Sequence, residues 1–153
     1  CAALAAQRAD RADTIVSELK QVNDAMAAHL DDGPEFTEIG RRFHDVIVRG
    51  CGNRTIIAVV GTLETLWTSH EQQWADESAA RGTYPSLAKR RAVLNTHVKL
   101  AEMIEAGDVD RARRISARHL SDTQSHVLAA GPDQRIYALS PQALSRPRDS
   151  RHL

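Results

Sequence analysis

Apolar positions along this chain recur at helical spacing, and no stretch shows the strict alternation of a strand. Residues 3–30 read as one long helix without Gly or Pro, with Leu4, Ile15, Leu19, Val22, Met26 and Leu30 near one face. Asp31-Asp32-Gly33-Pro34 stops it. A second helix is predicted over about 35–49, with Phe36, Ile39, Phe43, Ile47 and Val48 inward. Gly50-Cys51-Gly52-Asn53 breaks it; Gly52 suits a helix C-terminus and Asn53 the N-cap of the next. The third helix, about 54–80, carries the cleanest stripe. Ile56, Val60, Leu63, Trp67, His70 and Trp74 alternate spacings of four and three, as in the seam of a packed helix. Residues 81–85 form a loop, and Ser86 caps a fourth helix over about 87–106. Gly107 ends it, Asp108 caps a fifth over about 109–129, and Gly131-Pro132 ends that. Residues 132–153 hold three of the five prolines and four arginines with little periodicity, and are expected to be a partly disordered tail. The pattern predicts an all-α domain over 1–131 with no strand and no internal repeat.

Composition narrows the function more than the fold. The 153 residues suffice for one domain with a real core. No apolar run approaches the roughly 20 residues that cross a bilayer, and no secretory signal is visible. Twenty basic residues balance twenty acidic ones. That argues against the chain itself clamping DNA, because phosphate binding needs a concentrated positive face. Two cysteines, Cys1 at the terminus and Cys51 in a turn, do not make a disulfide framework and fit a cytoplasmic setting. A start at Cys1 that enters a helix almost at once reads as a piece whose upstream partner is missing.

The candidate chemistry lies in three histidines. His44 shares a face with Gly40 and Ile47; His97 with Arg90, Leu94, Ala101 and Ile104; His119 with Ala112, Ile115, Thr123 and His126. Each thus sits on or beside an inward apolar stripe. An inward imidazole needs a partner, since an unsatisfied buried polar group costs roughly 1–3 kcal/mol. A metal ion satisfies several at once, and imidazole suits zinc, nickel, copper and iron. A hydrogen-bonded core role is the plainer alternative for each. The chain contains neither H-E-x-x-H nor an E-x-x-H pair for a di-iron site. The dipeptide His44-Asp45 also occurs in metal-dependent phosphohydrolases, but adjacent helix positions point about 100° apart. Arg90, seven residues before His97, is a candidate pocket residue, as is His70 beside the Trp67/Trp74 pair; Arg118, next to His119, reads as solvated.

The ordered set F-H-x-x-I-x-x-x-x-G-N, H-x-x-L-x-x-x-I-x-x-G-D-x-x-x-A and H-L, with 22 residues between His97 and His119, resembles the FCD domain. This is the C-terminal effector-binding domain of FadR-type GntR transcription regulators. The resemblance covers about residues 5–128. It implies an antiparallel bundle of about six helices around a small-molecule pocket, often with a divalent metal held by one aspartate and three histidines. His44, His97 and His119 fall on the histidine positions. The aspartate position is occupied by Gly40, which weakens a zinc or nickel site and leaves room for an effector carboxylate. The expected function is sensing of a small organic acid, contacted by Arg90, His70 and the space at Gly40, with no catalysis. Operator DNA is expected to be read only through a winged-helix domain absent from this chain, in a homodimeric regulator. The competing readings are a helical-bundle metalloenzyme with a three-histidine site, and an interaction module whose histidines are core residues.

Overall fold

The structure, a computed structural model, describes residues 1–129; the expected tail at 132–153 lies outside the described residues. The described residues form six helices and no strand: α1 (Ala2–Gln7), α2 (Ser17–Ala28), α3 (Gly33–Gly50), α4 (Arg54–Ala80), α5 (Leu87–Ala106) and α6 (Val109–Ala129). A single π-helical turn, Ala12–Val16, leads into α2.

Local signals set most boundaries. Asp32 accepts a hydrogen bond from the Glu35 amide and Pro34 occupies the first turn of α3. Asn53 caps α4 by accepting from the Ile56 amide at 3.0 Å, and Ser86 caps α5. Gly107, at φ 71°, closes α5 in the left-handed region that favours glycine. Asp108 then accepts from the Arg111 amide at the start of α6.

One expectation fails. The helix predicted over 3–30 is broken at Arg8, which is extended at φ −70°, ψ 138°. No Gly or Pro marks the place. Arg8 instead forms a two-pronged ion pair with Asp10, at 2.8 and 2.6 Å, and reaches the Gly50 carbonyl. Arg11 donates to the freed Arg8 carbonyl and to the Glu105 carbonyl at the end of α5. The break is therefore paid for by tertiary bonds, and it lets the small faces of Ala2, Ala5 and Ala6 pack on α5 and α6.

The stripe on α4 also behaves differently from its spacing. Leu63 is 60% and Val59 57% exposed, and His70 is exposed. The helix has α3 as its main neighbour, so it buries a narrow strip, with Ala75 and Ser78 at its C-terminal end fully covered. The remaining helices enclose two apolar clusters. The larger centres on Ile15, Leu19, Phe43, Leu100 and Ile104, the smaller on Met26, Phe36, Ile39 and Leu94.

Candidate metal centre and effector cavity

His97 stands where the two clusters meet. It is 1% exposed, and its ring lies flat on Phe43 at 4.2 Å, with planes 6° apart. Its Nδ1 is 3.2 Å from the Met26 sulfur, a weak acceptor with no proton to give. The arrangement therefore favours the tautomer in which Nδ1–H donates to the sulfur and Nε2 carries the lone pair. That lone pair points at His119 Nε2, 2.9 Å away, and His119 Nε2 is 3.3 Å from His44 Nε2. Helices α3, α5 and α6 thus deliver one nitrogen each to a common point.

Protons alone serve this trio poorly. Nε2 of His119 either carries a hydrogen or a lone pair, so it cannot donate to one neighbour and accept from the other. Charging the rings is worse. Burial and the neighbouring His119 push the His44 pKa down to about 3. Burial, then the other two rings, lowers His97 well below its ordinary range, and burial lowers His119, with Asp122 opposing. Three neutral imidazoles whose ligand atoms lie within 4.8 Å of one another can hold a metal ion. Two of the three spacings are close to those of a metal shell, and the third pair, His44 and His97, lies within 4.8 Å: metal–nitrogen bonds of roughly 2.0–2.1 Å put neighbouring nitrogens of a tetrahedral shell about 3.3–3.4 Å apart. His44 and His119 already stand there, and His97 and His119 need to part by a few tenths of an ångström.

Gly40, one turn before His44, adds no ligand. A Cβ built on it would meet the Met26 methyl at 3.4 Å and His97 Cε1 at 3.9 Å. The position faces the centre, and the flexible end of Met26 fills part of the space the glycine leaves.

Above the trio opens a cavity of about 560 Å³. Gly40 and Arg90 line it together with the three histidines; His70 does not, and its nearest ring is Trp67 at 5.8 Å. His126 lies among residues whose side chains are outside the described set. Arg118 is exposed, pairs with Asp122 at 3.8 Å and borders the cavity.

Several lining residues carried no signal strong enough to single them out. Arg41 lies three residues before His44, a spacing that shares its face. Glu71 lies three before Trp74, and burial pushes its carboxyl up to about 6 despite the opposing Arg41. Tyr84 comes from the loop before α5. It is seated over Gly33, where any Cβ would come within 2.6 Å of its ring, and its hydroxyl bonds to Thr37. Arg90 lies over the face of the same ring, 5.6 Å from the centroid.

Residues 1–122 match the family profile of the FCD domain. No curated protein matches the chain. No helix among the described residues is long and apolar enough to cross a membrane.

Proposed function

The chain belongs to the FCD family, the effector-binding domains of GntR-family transcription regulators, and from that premise we propose that it senses a small organic acid with the help of a divalent metal. FCD domains are regulatory ligand-binding domains, which sets the metalloenzyme reading behind this one. The observation that carries the proposal is the meeting of three neutral imidazole nitrogens at the base of an open cavity. A zinc or nickel ion held by His44, His97 and His119 supplies a positive centre for a carboxylate oxygen. Gly40 contributes no anion of its own, so the incoming acid balances the ion's charge. Arg41 and Arg90 add positive charge from the cavity wall.

The ligand reports to DNA by shifting a population of domain arrangements. An effector lodged between α3, α5 and α6 on one side and α4 on the other favours whichever arrangement it fits better. Helix α4 packs mainly on α3, so its position against α5 and α6 is the one an effector between them would bias. Operator DNA is read by a winged-helix domain in the full regulator, which acts as a homodimer because paired winged helices read paired half-sites.

The test is metal analysis after chelation and reloading, followed by thermal unfolding with and without acetate. The wild-type chain should take up about one ion and be stabilised by acetate only when loaded. His44→Ala, at the half-buried corner of the site, should lose both properties while staying folded. A folded His44→Ala chain that still binds the ion with wild-type affinity would overturn the assignment.

A further inference from the structure

The cavity is longer than a single carboxylate. On α3, Thr37, Arg41 and His44 follow at intervals of four and three, and on α5 seven residues separate Arg90 from His97. Both intervals place the upper part of the cavity two helical turns, about 10 Å, from the histidines. Thr37 and Arg90 meet there on Tyr84, whose ring also lies 5.5 Å from that of Trp74. Two helices thus measure the same distance independently. One carboxylate cannot touch both ends.

The upper part is built to donate. Arg90 Nε and Trp74 Nε1 are buried and have no hydrogen-bond partner among the described residues, and Arg41 Nη1, between the two levels, has none either. A buried donor left in this condition costs roughly 1–3 kcal/mol. The charges agree. The chain as a whole is neutral, yet the cavity lining carries Arg41, Lys89, Arg90, Lys99 and Arg118 against Glu71 and Asp122. A divalent ion at the histidines adds to that excess, and together they call for more than one negative charge.

We propose that the effector is a short dicarboxylate, with one carboxylate at the histidine trio and the other taken by Arg90 Nε and Trp74 Nε1. This rests on the small-acid reading above and names its class. The carbon chain between the two heads runs along the apolar wall at Val93 and Phe36. Arg41, three residues before His44 on α3, stands between the two heads.

Calorimetric titration of the zinc-loaded full chain tests it, with matched pairs: succinate against butyrate, glutarate against pentanoate, adipate against hexanoate. The best diacid should bind at least about tenfold tighter than the monoacid of equal length, ~1.4 kcal/mol. Arg90→Gln, and separately Trp74→Phe, which keeps the ring and deletes the N–H, should weaken the diacid more than the monoacid of equal length and so shrink that advantage. Equal affinities within every pair would overturn the dicarboxylate while the small-acid reading stands. An advantage that survives both substitutions would overturn the placement of the second head. Silence from every acid, mono and di alike, would overturn both readings.

Discussion

At the base of the cavity nitrogen lone pairs converge; two helical turns higher, N–H donors do. The two levels are held differently. His97 is clamped by Phe43 on its face and Met26 at its edge, inside the seam between two apolar clusters. The upper level hangs on a loop residue, Tyr84, and on α4, which has one main neighbour. A site can thus join an acceptor floor packed on all sides to a donor roof held by fewer elements.

Breaking the floor should have the largest effect. Phe43→Ala removes both a fully buried ring and the face that orients His97, and should cost about 3–5 kcal/mol. Trp74→Ala, at the half-buried roof, should cost about a third of that. Denaturant titration of the two variants measures the difference, and equal losses would erase the distinction between floor and roof.

Acid should separate the levels next, because their pKa shifts have opposite signs. The histidines have folded pKa values below their ordinary 6.5, so the unfolded chain takes up their protons first. Their contribution is complete above pH 6.5 and is lost as pH falls below it. Glu71 is raised from 4.5 to about 6, so the folded chain takes up its proton first and gains stability as pH falls through 6. Burial raises Glu64 in the same sense, so three groups oppose two, and each pH unit of displacement is worth at most ~1.4 kcal/mol. The histidines outweigh the carboxyls, so the chelated protein should lose stability net between pH 6.5 and 4.5. Glu71→Gln should steepen that loss. A flat profile over this range would mean that the histidines are not buried as neutral rings.

A smaller effect sharpens the picture of the floor. Gly40→Asp places a carboxylate on the face of His44, where a Cβ has room and the neighbouring Met26 methyl can yield. Zinc or nickel affinity should rise on the order of tenfold, ~1.4 kcal/mol, with greater metal-dependent thermal stability. The same carboxylate should weaken an acidic effector by competing for the ion. Titration of metal into the chelated variant gives the answer; unchanged or lower affinity in a folded protein would count against the three-histidine centre.

The smallest expected effect concerns Met26. Met26→Leu conserves volume and should change stability by less than about 1.5 kcal/mol. It removes the acceptor at His97 Nδ1, so metal affinity should fall severalfold while the unfolding midpoint of the chelated protein barely moves. A parallel change in both would make Met26 a packing residue alone.

The sequence by itself determined the helices and most of their ends, since capping and turn chemistry act within a few residues: Asn53, Ser86, Gly107 and Asp108 do where they stand what their types predict. It also determined that His44, His97 and His119 lie on or beside inward faces, because register along a helix is a local property. Tertiary structure decided what no window of residues contains. The break at Arg8 exists because Gly50 and Glu105 offer distant carbonyls to Arg8 and Arg11. The stripe on α4 stays partly exposed because spacing states which residues share a face, and only packing states whether a neighbour covers it. His70, read from that stripe as a pocket residue, stands outside the cavity for the same reason, while Arg41, Glu71 and Tyr84 line it. A loop tyrosine and two charged side chains have no period to reveal them. They join the site only when α3, α4 and α5 close around one space.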